Sequence, residues 1–184
     1  NDGNHSESEG ATCATMCWQS WSDKSPNEKL TALMPALAGA LNCERCVMFL
    51  RDPKTHRGRA VHRWAANPEF ALRREDRGWE LMPATLMDDD PMYAEAMTNP
   101  EALYIDDIET AAPALVNTAY EKEHFGHCGL IHAPVYHQGE MYGVLEPSSM
   151  AKPRVWSAAD KALIAAVQAR IGPVVAAFVK EDAA

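Results

Sequence analysis

Positive charge is in short supply in this chain. Seventeen Lys and Arg stand against 26 Asp and Glu, a net charge of −9. Such a field repels phosphate polymers, so nucleic-acid binding is not expected. No uninterrupted apolar run approaches the roughly 20 residues that cross a bilayer, so membrane insertion is not expected either. The polar, acidic opening of residues 1–10 does not read as a signal peptide. Cysteine is odd in number: Cys13, Cys17, Cys43, Cys46 and Cys128. Without an export signal that count argues against a disulfide framework, and a cytosolic home is expected. There is no G-x-S-x-G, P-loop, H-E-x-x-H or Rossmann glycine pattern, which points away from the commonest enzyme chemistries. Internal repeats and low-complexity tracts are missing.

What is present is a globular composition. The 184 residues are 47 % apolar and 23 % charged, enough for one domain with a core that needs no staples. Residues 1–24 read as a flexible, polar N-terminal leader, in which Met16, Cys17, Trp18 and Trp21 could pack as a short helix. Residues 25–184 read as the domain. Ser25-Pro26-Asn27-Glu28 is a capping box, and Leu30, Leu33, Met34, Leu37 and Leu41 follow at helical spacing, with a kink or restart expected at Pro35. Residues 46–50 read as a strand and 59–65 as its partner across a long loop. Residues 67–98 read as short helices broken at Pro68, Pro83 and Pro91. Residues 102–105 form a short strand, and 111–125 are helical in part. Residues 130–135 and 141–145 form a hairpin around His137-Gln138-Gly139-Glu140. The closing helix is capped by Ser157, presents Leu163, Val167, Ile171, Val174 and Phe178 on one face, and should bend at Gly172-Pro173. This order predicts an α+β fold: an antiparallel sheet, terminal helices on one face, and a helix-and-loop lid over a pocket on the other.

The stretch Gly129-Leu130-Ile131-His132-Ala133-Pro134-Val135, then Gly139-Glu140-Met141-Tyr142-Gly143-Val144-Leu145 and Trp156-Ser157-Ala158-Ala159-Asp160, resembles a GAF domain, the sensory module related to PAS domains. The resemblance covers about residues 27–180. It implies a small-molecule or chromophore sensor in a longer signalling protein, commonly a homodimer joined through its terminal helices and relaying to an output domain, as in two-component systems. Asp90-Pro91, Asp107-Ile108 and Pro153-Arg154-Val155-Trp156 are similar to phytochrome and cyanobacteriochrome GAF domains. Those attach a bilin through a Cys-His pair, where this chain has Asn117-Thr118. The cyclic-nucleotide signature of phosphodiesterase GAF domains is only echoed, in Asn117, Glu121-Lys122-Glu123 and Phe125. Bilin, haem and iron–sulfur cofactors all occur in the family and stay open here.

Five residues are candidates for ligand contact. His132 shares a strand face with Leu130, Pro134 and Tyr136, and in the GAF pattern that strand contributes to the pocket wall, so His132 and Tyr136 are placed toward a ligand. The competing reading of His132 is a core histidine bonded to an acid such as Glu146. Cys128 follows His127, whose imidazolium would favour a thiolate; the alternative is a half-buried structural thiol. Asp107 follows a short strand that GAF geometry puts at the pocket mouth, where it would bind a cationic or donor ligand or cap a helix. Trp64 could stack on a planar ligand or pack in the core. Arg51 and Arg63 could pair with an anion or form surface ion pairs. His124, His127 and Asp88-Asp89-Asp90 read as solvated. The pairs Cys13/Cys17 and Cys43/Cys46 have a spacing that could hold zinc or an iron–sulfur cluster, or they are ordinary thiols. The expected activity is ligand sensing without catalysis. The alternatives are a ligand-free dimerisation module and a thiol redox enzyme, similar to GAF-type methionine sulfoxide reductases, acting through Cys128.

Overall fold

The computed structural model describes residues 18–184. The first helix, α1 (Pro26–Leu41), starts where the capping box puts it: Glu28 N–H donates to Ser25 Oγ, and Ser25 N–H donates to the Glu28 carboxylate. It runs unbroken through Pro35, because that residue lies on the exposed side, where water can serve the carbonyl it leaves free. Before it, Trp18–Trp21 forms a 3₁₀ turn that packs Trp21 into the core. The rest of the expected leader, with Met16 and Cys17, lies outside the described residues.

One antiparallel sheet of seven strands follows. Its strands are β1 (Arg45–Asp52), β2 (Arg57–Arg59), β3 (Arg63–Ala65), β4 (Glu80–Leu81), β5 (Leu103–Ile105), β6 (Gly129–His137) and β7 (Glu140–Ser149). They are ordered β4-β2-β1-β7-β6-β5, with β3 also paired to β1. The expected strand over 59–65 is split in two. Residue His62 turns inward between the halves, where Nε2 lies 2.9 Å from Asn27 Oδ1 and the ring meets Phe178 edge-on. The β6–β7 hairpin turns at Gln138-Gly139, both at positive φ (50° and 80°), the pair of angles a two-residue turn of this hand requires.

The closing helix, α5 (Ala158–Asp182), carries a second capping box between Ser157 and Asp160. Its buried stripe is Ile164, Val167, Ile171, Val175 and Phe178; Leu163 and Val174 flank it, half-buried. By length and composition α5 is apolar enough to cross a bilayer. Counting uninterrupted runs overlooks this, because Gln168 and Arg170 break the run. Its apolar side is spent on the sheet and α1, within one core that joins Leu33, Leu37, Met48, Ile131 and Ile171. Gly172 sits against β6: a methyl group there would overlap the Tyr136 carbonyl oxygen.

The other face of the sheet is covered by residues between β3 and β6. These include three short helices, α2 (Leu86–Asp89), α3 (Pro91–Ala96) and α4 (Thr118–His124). Asp90 caps α3 by accepting from Tyr93 N–H, and Asn117 caps α4 by accepting from Tyr120 N–H. This layer is the lid.

Candidate functional site

Strand alternation sends Cys46, Met48 and Leu50 of β1 toward the helices, and Arg45, Val47, Phe49 and Arg51 toward the lid. Val47 pairs with Glu146 of β7. The β6–β7 register, in which Ala133 faces Leu145 and Leu130 faces Ser148, carries His132 opposite Glu146. Three strands therefore deliver an arginine, a carboxyl and an imidazole to the lid side of one sheet.

The lid adds two more groups. His127 is 2 % exposed, with Nδ1 3.1 Å from Ser148 Oγ and 3.4 Å from Glu146 Oε1, and Nε2 3.5 Å from Glu121 Oε1. Its ring stacks on Phe125. Arg45 Nη1 donates to the Phe125 carbonyl at 2.9 Å and so ties β1 to the end of α4. Burial keeps these groups neutral. It raises Glu121 to about 9, helped by the Asp90 charge, and Glu146 to about 8. It lowers His127 to about 4 and His132 to about 3. Near neutral pH the carboxyls hold their protons and each imidazole carries a single N–H, so each group can donate and accept hydrogen bonds without a net charge.

Between sheet and lid lies a cavity of about 210 Å³. Its wall includes His132, Glu146 and Arg51 from the sheet, and Asp90, Tyr120 and Phe125 from the lid. His132 Nδ1, Glu146 Oε1 and Arg51 Nε are buried without a hydrogen-bond partner. Five further buried atoms are also without a partner, on Arg45, His62, Glu121, His127 and Ser149, none of which lines the cavity. A shallower hollow of about 290 Å³ lies beside it over Arg45, Val47 and Trp64.

The five candidate residues fall in different places. His132 lines the cavity, opposite Glu146. Tyr136 lies further along the same strand face, and its hydroxyl donates to the Ala96 carbonyl of α3 at 2.5 Å. Trp64 faces the helices, where it packs on the core, and also borders the shallow hollow. Asp107 accepts from Glu109 N–H and shapes the turn after β5, away from the cavity lining. Cys128 Sγ donates to the Met150 carbonyl at 3.2 Å. Burial raises its thiol, and the charges of Asp107, Glu44 and Glu109 add to the effect, opposite in direction to the expected imidazolium effect. Arg63 is held by the Ala60 and Arg74 carbonyls rather than by surface carboxylates. Two residues expected in solvent are buried: His127, because the β6–β7 end closes over it, and Asp90, because it caps α3 from inside the lid. Glu121, Arg45 and His127 were missed as a group. Glu146, inside the apolar run of β7, carried a signal; Glu121, one acid among several on a short helix, carried none.

The cofactors open at the level of sequence can be tested against these residues. The cavity is smaller than the roughly 300–1,000 Å³ of sites for drug-sized ligands, so in this lid arrangement it does not fit a tetrapyrrole. Among the described residues no cysteine lines it. Cys43 and Cys46 are buried, with thiols pushed up by burial, Cys43 to about 11. Cys13 and Cys17 lie outside the described residues. Among the described residues no group of three or more His, Cys, Asp or Glu is arranged to hold a metal ion.

An antiparallel sheet with terminal helices on one face and a lidded cavity on the other is the architecture of the GAF fold. Residues 25–174 match the family model of the GAF domain, and the chain belongs to that family. Solved structures share the fold. The GAF domain of a phosphoenolpyruvate-protein phosphotransferase from Coxiella burnetii has a TM-score of 0.70 at 13 % identity, covering 99 % of this chain and 100 % of that one. The phycoerythrobilin-bound GAF domain of a cyanobacterial phytochrome also has a TM-score of 0.70, at 14 % identity over 96 % and 98 %. A domain ascribed to a two-component sensor histidine kinase of Sinorhizobium meliloti 1021 has 0.58, at 18 % identity over 85 % and 94 %. The comparison with curated proteins finds no match.

Proposed function

We propose that this GAF domain is a non-catalytic sensory module that binds a small molecule between sheet and lid and passes the event to its terminal helices, as one domain of a cytosolic signalling protein. The observation that carries this reading is the cavity whose wall holds three buried, unpartnered polar atoms. Empty, it costs free energy at each of them; filled, it recovers it. Ligand binding therefore favours the closed lid, a population shift.

A route to the helices runs through Tyr136. Its hydroxyl holds α3 of the lid, and its carbonyl is the atom on which Gly172 of α5 is seated. Movement of α3 thus changes the seat of α5, which in a longer chain leads toward an output domain or a dimer partner. The test is hydrogen exchange with and without a bound ligand. Slower exchange in the lid together with a change in α5 is expected; a lid change with both terminal helices unaltered overturns the relay. The raised Cys128 thiol gives no support to a redox enzyme.

A further inference from the structure

The cavity has two chemically distinct ends. At one, His132 and Glu146 stand opposite each other; His132 Nδ1 has no hydrogen-bond partner, and Glu146 Oε1 has none beyond the His127 ring 3.4 Å away. At the other is Arg51, four residues along β1 from Val47, the partner of Glu146, a separation of about 13 Å at the usual strand rise. Between them the wall is Phe49 and Val144 from the sheet, with Tyr120 and Phe125 from the lid. Phe49 and Phe125 meet edge to face at 5.6 Å.

Arg51 is the unusual member. It is 7 % exposed; Nη1 donates to the Met141 carbonyl at 3.0 Å, the guanidinium also bonds the Tyr93 side chain, and Nε has no partner. Of the other cavity-side arginines, Arg63 is held by the Ala60 and Arg74 carbonyls and Arg77 is exposed. Arg59 pairs with Asp76 and Asp182, and Arg74 with Glu80. No carboxylate pairs with Arg51 among the described residues. A buried guanidinium without a counter-charge is costly, and its planar edge matches a carboxylate. Asp90 also lines the cavity, but it is committed to capping α3. The guanidinium carries one positive charge, which suits a carboxylate better than a doubly charged phosphate.

We propose that the ligand is a small aromatic carboxylate bearing a hydroxyl at the end away from its acid group, with the carboxylate on Arg51, the ring among Phe49, Tyr120 and Phe125, and the hydroxyl between His132 and Glu146. A hydroxyl suits that end because it donates and accepts at once, to the neutral imidazole and from the protonated carboxyl. About 210 Å³ suits a ligand of one ring rather than several. This assignment rests on the sensory reading of the same cavity.

The test is calorimetric titration of the full chain with 4-hydroxybenzoate, benzoate and 4-hydroxybenzamide, beside haem and biliverdin, and repeated on Arg51→Gln. 4-Hydroxybenzoate should bind at least about tenfold tighter than benzoate or the amide, because each analogue leaves a buried polar group unpaired. In Arg51→Gln the acid should fall to the level of the amide while the amide's own affinity stays unchanged. If the variant does not fold, the wild-type ranking alone decides. Equal binding of acid and amide, or binding of haem or biliverdin with none of the benzoates, overturns the aromatic-acid assignment and leaves the sensory reading standing. No binding by any of the five, with lid hydrogen exchange unmoved by a metabolite extract, overturns both.

Discussion

Alternate residues of β1 belong to two different kinds of interior. Cys46, Met48 and Leu50 point into a continuous apolar core shared with α1 and α5. Arg45, Val47, Phe49 and Arg51 point to a layer where small apolar clusters are separated by buried Arg, Glu and His. The first interior is held by close packing, which is strong and indifferent to ligand. The second holds a cavity and unpaired polar atoms, and it gains when something fills it. The proposed sensory role uses both: one face rigid enough to hold the sheet, the other able to respond.

The sharpest way to break that contrast is to remove the same kind of bulk from each face. Leu37→Ala on the helix face should cost about 2–5 kcal/mol, the range for a fully buried large-to-small change. Phe49→Ala, half-buried beside an existing cavity, should cost less, both read by urea denaturation. Equal losses would mean that the lid face is packed as tightly as the core.

The pH dependence of stability should expose the polar face. Glu121 and Glu146 have an ordinary value of 4.5 but hold their protons to about 9 and 8 when folded. The unfolded chain releases these protons first, so stability falls as pH rises from about 4.5 through that range. His127, His132 and His62 have an ordinary value of 6.5 and are held near 4, 3 and 4. The unfolded chain takes up these protons first, so stability falls as pH drops below about 6.5. Together they put the maximum near pH 6. In the double variant Glu121→Gln, Glu146→Gln the alkaline decline should flatten while the acid one remains, as followed by thermal unfolding across pH. An unchanged alkaline decline would show that the carboxyls are not held neutral.

Gly172→Ala tests the seam between the faces. The added methyl overlaps the Tyr136 carbonyl, so a loss of about 1–3 kcal/mol is expected, and α3 should exchange faster because Tyr136 also holds it. Stability loss without that lid response would separate the two faces. The smallest effect is at the entrance to α5. Ser157→Ala removes one half of its capping box and should cost about 1 kcal/mol in urea denaturation, with no change in lid exchange.

Legibility in the sequence followed the same division. Both long helices and the β6–β7 hairpin could be read from caps, turn residues and periodicity, because those signals lie within a few residues of one another. Residues 67–98 were read as short helices, and there the structure has a 3₁₀ turn, a two-residue strand and two helices of four and six residues. Segments that short carry no full period of apolar residues. At the site, His132 was legible from strand alternation and family resemblance. Glu146 was legible as the acid that faces it, but Arg45, Glu121 and His127 were not, because they meet from a strand, a lid helix and a loop far apart in the chain.

The amino-acid order alone therefore determined the terminal helices, the hairpin, the acidic net charge and the α+β fold class, since each depends on local spacing or on composition. Which thiols, imidazoles and carboxyls share a cavity was decided only by strand register and by the folding of the lid. Register turns a residue of β1 toward the core or toward the lid, and burial there, more than residue type, sets which of these groups is charged.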